Sequence, residues 1–293
     1  MREYLQAFLQ AFEYPQECVV SLLSDYEKVQ TNAEFSLLVG EYGEKGTACD
    51  FDNALRTLPS IAERAGIHSC SAVMLYYLCL TKRWKELCLQ KGIDEAVWEN
   101  TAKDLRYKVL ECKAIYGIWG TFVGSWFIRF FRLERFALGR LQFEWERLGF
   151  SYSKNGVELS ADEWVLNVHI PRAGTPLTRD SVEAAYAAAI PFFAKHFGLQ
   201  IRAFVCSSWL LFPRHTQMLK KGSNILGFMA DYDLVKVGEY ADYTELWRLF
   251  DCKVQGEPID SLPCDSSLRR AYIALMKRGE NTGYGKGIYV YKQ

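Results

Sequence analysis

The run VLNVHIPRAGTPLTRDSVEAAYAAAI, residues 165–190, constrains the fold more than any other part of the chain. Val165 to Pro171 is a short β-rich segment, and the loop RAGTPLT follows it. An alanine-rich stretch from about Arg179 to Phe197 then reads as a long helix, with Thr178 as its N-cap and Gly198 as its end. Beyond it Ile201 to Phe212, IRAFVCSSWLLF, reads as a second buried strand. Two strands joined through a helix are expected to run parallel, because the crossover carries the chain back to its starting end. A period of two places Val165, Asn167 and His169 on one face of the first strand and Leu166, Val168 and Ile170 on the other. The second set is apolar, as burial against a helix requires. The first puts polar groups near the strand's carboxyl end, where open α/β sheets take their ligands. The next helix opens with free N–H groups and a dipole that favours phosphate.

The rest of the chain divides by hydrophobic period. Up to about residue 132 the pattern is helical: Leu5, Phe8, Leu9 and Phe12 repeat at helix spacing, as do Val19, Leu22, Leu23 and Tyr26 after Pro15. Ser69 to Gln90 is apolar on several faces, which predicts a central helix ended by Gly92, and Ile93 to Cys112 supplies another. Gly117, Gly120 and Gly124 form a small-residue stripe that is expected to serve a close helix contact. After about Phe136 strand patterns enter. The Asn155-Gly156 pair predicts a hairpin turn. Short helical patches are expected around Met218 and Leu226, a strand over Asp233 to Val237, and helices over Tyr243 to Phe250 and Ser266 to Arg278. A final edge strand is expected over Lys286 to Lys292. The predicted fold class is α+β. An α-helical domain over 1–132 packs on a mixed β-sheet domain flanked by helices over 133–293.

Lysine plus arginine and aspartate plus glutamate both total 35, so no electrostatic drive toward nucleic acid or an anionic membrane surface exists. The longest uncharged run, Ala114 to Ile128, is shorter than a spanning helix needs. MREYLQAFLQAFEYP lacks the apolar core of a signal peptide. Nine cysteines without a CxxC pair fit neither a disulfide framework nor a zinc ribbon. Cys70, Cys79 and Cys88, spaced nine residues apart in an apolar helical stretch, read as buried thiols, and so many unpaired thiols suit a reducing cytoplasm, with no metal expected.

Strand, glycine-containing loop and helix resemble the acyl-CoA-binding layout of the GNAT acyltransferase superfamily. LERFALGRLQFEW, LNVHIPRAGTPLT, CSSWLLFP and SNILGFMADYDLV are similar to bacterial acyltransferase-domain proteins that join a helical N-terminal domain to a GNAT-like C-terminal domain. The resemblance implies acyl-CoA-dependent N-acyl transfer, acetyl being the expected group, to a small-molecule amine by direct attack. It places acetyl-CoA or another acyl-CoA along Arg172, Ala173, Gly174, Thr175, Leu177 and Thr178. The acyl group would sit in the gap between the two parallel strands, and the helical domain would shape the acceptor pocket. Pro176 removes one backbone donor from the loop, and Asp180 puts a carboxylate in the helix's first turn.

His169 is the first candidate base, since imidazole exchanges protons near neutrality. The competing reading is a histidine hydrogen-bonded within the sheet. Glu144, between apolar neighbours, is a second candidate base or a clamp for a cationic amine, against an edge-strand carboxylate in solvent. Asn167, Cys206, Ser207 and Ser208 are the substrate-binding candidates. Cys206 lacks the glycine flanks of a nucleophile elbow, and core packing competes for it. Gly283, Gly285 and Gly287 read as a turn leading into the last strand. A catalytically silent ligand-binding or partner-binding module on the same fold is the alternative to an enzyme.

Overall fold

The computed structural model describes residues 1–154 and 156–291, which form two compact units, Met1–Phe136 and Ala137–Gln293. The first unit is helical: α1 (Arg2–Ala11), α2 (Gln16–Val29), α3 (Ala33–Lys45), α4 (Phe51–Ala65), α5 (Ser69–Gln90), α6 (Glu95–Tyr116) and the single turn α7 (Ile128–Phe131). Helix α5 is its axis. Met74, Leu75, Tyr76, Tyr77, Leu78, Leu80 and Trp84 are all buried, so nearly every face of the helix meets protein. Tyr42, Phe51, Tyr77 and Phe131 pack ring to ring around it, and the Tyr42 hydroxyl donates to the Phe131 carbonyl at 2.9 Å. Asn32 and Asp50 cap α3 and α4 by accepting the Phe35 and Asn53 amides.

The small-residue stripe departs from expectation. Helix α6 stops at Tyr116 with Gly117 in the left-handed region at φ 73°, and the chain runs irregularly until a 3-10 turn at Gly124–Phe127. Close approach survives without the helix. A Cβ at Gly120 would stand 2.4 Å from the Cys70 carbonyl carbon, and the Thr121 amide donates to the Cys70 carbonyl.

Strand β1 (Arg135–Leu138) lies across the division, and β2 (Leu141–Arg147) follows a tight turn at Gly139 and Arg140. The hairpin β3 (Tyr152–Lys154) and β4 (Val157–Leu159) flanks the expected Asn155-Gly156 turn; Asn155 itself lies outside the described residues. Then come β5 (Trp164–His169), α8 (Arg179–Phe197), β6 (Ala203–Ser208), α9 (His215–Met218), α10 (Asn224–Met229), β7 (Asp233–Glu239), α11 (Trp247–Phe250), α12 (Ser267–Lys277) and β8 (Gly283–Val290). The main sheet has the order β1-β2-β5-β6-β8-β7, with β5 and β6 parallel and β2-β5, β6-β8 and β8-β7 antiparallel. It is the mixed sheet that the sequence predicts.

Helix α8 closes one face. Thr178 accepts the Ser181 amide, Gly198 ends the helix at φ 69°, and Val182, Ala185, Tyr186, Ala189 and Phe193 are buried. The Tyr186 ring packs on Phe204 at 4.6 Å. Strands β6 and β8 are shorter or placed otherwise than expected. Strand β6 gives way to a 3-10 turn at Trp209–Leu211. Strand β8 lies between β6 and β7 rather than at an edge, ends at Val290, and leaves Lys292 outside the described residues. Its alternating glycines answer to crowding on one face. A Cβ at Gly283 would fall 2.3 Å from the Gly238 carbonyl oxygen, and one at Gly285 2.4 Å from that of Leu211.

Candidate active site

Antiparallel register between β2 and β5 pairs Gln142 with His169 and Glu144 with Asn167. Directly opposed residues share a face, so Gln142, Glu144, Asn167 and His169 form one polar patch. Long side chains on such a patch reach diagonally. The His169 Nε2 lies 3.4 Å from the Glu144 Oε2, and one step along the strands the Asn167 amide donates to Glu146 at 3.2 Å. Glu144 is only 5% exposed and His169 is half-buried. The two candidate bases named from sequence are therefore one pair. The buried carboxylate sits where it can stabilise an imidazolium, while the ring retains access to solvent.

Parallel pairing of β5 with β6 is confined to Leu166 with Phe204 and Asn167 with Val205. Beyond these the two strands part, with His169 on one side and Cys206, Ser207 and Ser208 on the other, the latter three paired to β8 instead. Cys206 is fully buried, and burial pushes its thiol well above the usual range, which disfavours the thiolate that a nucleophile needs. Ser207 is exposed, and the Ser208 hydroxyl accepts the Leu210 amide at 3.1 Å.

The loop after β5 is braced from a residue that sequence reasoning passed over. Because β2 starts where β5 ends, the turn residue Arg140 reaches the loop and donates to the carbonyls of Pro171 (2.9 Å) and Thr175 (3.0 Å). The Ala173 amide donates to the Pro171 carbonyl, so the first turn of the loop is closed on itself. Among the described residues no acceptor is found for the amides of Gly174, Thr175, Leu177 and Thr178. Gly174 takes φ 70°, a conformation that favours glycine, and Gly174, Thr175 and Thr178 are exposed while Leu177 is buried. The Arg172 guanidinium is engaged bidentately by Asp251, with one contact at 2.6 Å, and Asp251 also accepts from Arg269 at 2.6 Å. No local pattern joins Arg172 to Asp251 across such a sequence separation.

A cleft of about 360 Å³ opens beside the first turn of α8, lined by Leu177, Arg179, Val182, Lys221, Asn224 and Phe228 among others. Leu177, Val182 and Phe228 give it a greasy floor, and Arg179 and Lys221 a cationic rim. Arg179 is held by Glu183 and Asp231. Lys221 was not singled out from sequence, and nothing in its local context marks it. Among the described residues no group of three His, Cys, Asp or Glu side chains gathers to hold a metal. No described helix is long and apolar enough to cross a membrane.

Comparison with known families fits this geometry. Residues 135–289 match the GNAT-like C-terminal domain, and residues 3–133 match the N-acyltransferase N-terminal domain. The chain belongs to this GNAT-like N-acyltransferase family. Solved structures of similar fold include an acyltransferase in complex with decanoyl-CoA, at 22% identity and a TM-score of 0.78, covering 98% of this chain and 88% of that one. An acyltransferase in complex with decanoyl-CoA and teicoplanin follows at 24% identity and a TM-score of 0.74, covering 98% and 87%. A mutant acyltransferase in complex with octanoyl-CoA is 24% identical with a TM-score of 0.73, covering 99% and 88%. Curated protein sequences give no match. At these identities the GNAT-like likeness is one of fold.

Proposed function

We propose that this chain is an acyl-CoA-dependent N-acyltransferase acting on a primary amine. The observation that carries the reading is the parting of β5 and β6 beside the His169–Glu144 pair, with a loop at the same strand end whose Gly174, Thr175 and Thr178 amides find no acceptor among the described residues. The diphosphate of CoA is assigned to the amides of Gly174, Thr175 and Thr178, where a helix start and a glycine turn suit an anion. Arg172 and Lys221 supply nearby charge, and Ala173 and Leu177 line the backbone path. The nucleotide end takes the cleft beside α8. The acyl carbonyl lies in the gap between the strands, near Asn167, Ser207 and Ser208; Cys206 contributes packing only.

In the reaction the amine nitrogen attacks the thioester carbonyl carbon, and the N–C bond forms as the carbonyl becomes a tetrahedral oxyanion. His169 takes the proton released by the attacking nitrogen, with Glu144 stabilising the resulting imidazolium. The oxyanion collapses, the C–S bond breaks, and CoA leaves as a thiolate that is protonated from solvent. The sequence alone favoured acetyl. The octanoyl and decanoyl chains bound by the similar structures support a medium-chain donor, and the teicoplanin complex supports an amine on a bulky natural product as acceptor.

The test is a thioester panel from acetyl-CoA to decanoyl-CoA with amine acceptors, read by release of free thiol. Amine-dependent turnover is expected, highest at octanoyl or decanoyl. In His169→Ala it falls by about 10²-fold or more while the affinity for CoA is kept. The Arg172–Asp251 engagement favours a second reading, a silent binding module, because the loop's cation already has an anion. Calorimetric binding of acyl-CoA without turnover across a broad amine panel would select that module, and no binding of any acyl-CoA would end both readings.

A further inference from the structure

The main sheet presents two lysines that neither the fold nor the transfer chemistry uses. Asn167 is paired with Val205 and Val205 with Ile288, so these three share a face with His169, two residues beyond Asn167. Packing agrees with the register, because Val165, Ala203, Val205 and Ile288 form one cluster with Phe150, Tyr152 and Val157. The next residue of β8 on this face, toward the carboxyl end of β6, is Lys286. It lies opposite Ser207 of β6 on one side and Lys236 of β7 on the other. Lys286 is half-buried with its ammonium 4.9 Å from the centroid of the Phe150 ring, and Lys236 is exposed just past the β7 bulge.

Directly opposed side chains on antiparallel strands stand about 5 Å apart at Cβ, and like charges so placed repel. The carboxylates of the face are engaged elsewhere. Glu144 meets His169, Glu146 accepts from Asn167, and Asp233, opposite Ile288, meets Lys154 and the Tyr152 hydroxyl. At the far end of β7, Glu239 meets Arg214 at 3.6 Å and accepts from Asn281 at 3.0 Å. Among the described residues no ion pair is found for Lys236 or Lys286. The face is therefore divided by charge. Carboxylates stand on β2, two opposed ammonium groups stand on β8 and β7, and the parted ends of β5 and β6 lie between them. Lys286 is two strand spacings from His169, about 10 Å across the sheet.

We propose that Lys286, with Lys236, binds a carboxylate on the acceptor, so that the acceptors are primary amines that also carry an acidic group. This rests on the transferase reading and names the substrate class of the same site. The acceptor nitrogen lies at His169, beside the gap where the thioester is placed, and the carboxylate extends along the face to Lys286. There it meets a cation on a flexible stem and relieves the repulsion between the two opposed lysines. Phe150 holds the Lys286 ammonium by its ring face, which keeps the charge on the sheet rather than out in solvent. A separation of several bonds between amine and carboxylate fits the span better than the single carbon of an α-amino acid.

The experiment compares 6-aminohexanoate with 6-aminohexanamide as acceptors for the full chain and octanoyl-CoA, read by release of free thiol. The amide keeps the length and the amine and lacks the charge. kcat/KM for the acid is expected to exceed that for the amide by about tenfold or more, and the advantage should shrink as salt rises. Lys286→Gln should bring the ratio of the two close to one, Lys286→Arg should keep it, and Lys236→Gln should lower it in part. A ratio near one in the unaltered protein, or a ratio that Lys286→Gln leaves unmoved, would overturn the assignment. A second readout needs no turnover: hexanoate, but not hexanamide, should slow labelling of Lys286 by an amine-reactive ester, mapped by mass spectrometry. If no amine is acylated with any acyl-CoA, the transferase reading fails and the acceptor role with it, while that protection still upholds the anion site. Equal labelling of Lys286 in hexanoate and hexanamide would remove the anion site itself, whatever the fate of the transferase reading.

Discussion

Glu144 shows how a residue's role depends on its register. From sequence it is a carboxylate between Phe143 and Trp145, read more readily as an edge-strand group in solvent than as a base or an amine clamp. The pairing of Glu144 with Asn167 places it diagonally against His169, and 5% exposure removes the solvent reading. Its expected part is to hold the imidazole and balance its charge. Glu144→Gln keeps the size and loses the anion. We expect kcat to fall by about tenfold, less than in His169→Ala, with KM for acyl-CoA little changed. The rising limb of the pH–rate profile should move to lower pH, because an imidazolium without its anion gives up its proton more readily. An unmoved profile would remove Glu144 from the chemistry.

His215 offers a second test, on stability. It is fully buried, with Nε2 at 2.8 Å from the Tyr272 hydroxyl and Nδ1 at 3.2 Å from the Leu210 carbonyl. Burial depresses its folded value, so below the unfolded imidazole range the unfolded chain binds a proton that the folded chain resists. Its contribution is present above that range and is lost as pH falls through the depressed folded value. The urea midpoint should drop between pH 7.5 and pH 5.5, and the drop should be smaller in His215→Gln. The equal slopes expected of an indifferent histidine would refute this. Sequence showed only four scattered histidines. That His215 is a core residue follows from Trp209 and Tyr272 closing around it, a contact with no local signature.

At the scale of elements, α8 was legible to the residue because its limits are chemical. Thr178 caps one end, Gly198 turns out of the other, and Val182, Ala185, Tyr186, Ala189 and Phe193 repeat at helix spacing along the buried face. The loop before it was legible only in part. Its glycine follows from local chemistry, but Arg140 and Asp251 reach it from other elements. The Arg172–Asp251 engagement poses a specific competition, since a guanidinium spent on a carboxylate must let go to meet a diphosphate. Arg172 is 51% exposed, and such surface pairs hold by about 1 kcal/mol or less. Asp251→Asn should therefore lower KM for acyl-CoA by no more than about fivefold, and Arg172→Ala should raise it. In the double variant the gain from Asp251→Asn should vanish. A gain that persists without Arg172 would show that Asp251 acts on binding by another route.

For the whole molecule, the change of hydrophobic period near residue 132 announced a helical part and a sheet part, and the chain divides between Phe136 and Ala137. What the period did not show is how the crossing is built. Helix α7 ends at Phe131 and β1 begins at Arg135, and the residues between them are hydrogen-bonded locally. Arg132, Leu133 and Glu134 donate their amides to Ile128, Phe130 and Arg129, and the Arg129 side chain meets Glu134 at 2.5 Å. Leu133 adopts φ 58° to make the bend, which a sequence reader meets as an ordinary apolar residue. Cleavage by a protease needs several residues of backbone drawn out of such bonds, so a connection of this kind resists cutting even where arginines abound. Limited trypsin digestion should spare Arg129, Arg132 and Arg135. The first cuts should fall at Lys220 and Lys221, exposed between the short helices α9 and α10. Early scission at Arg132 would mean that the bend opens readily, and the crossing would then behave as a linker rather than as the ordered turn that leads into β1.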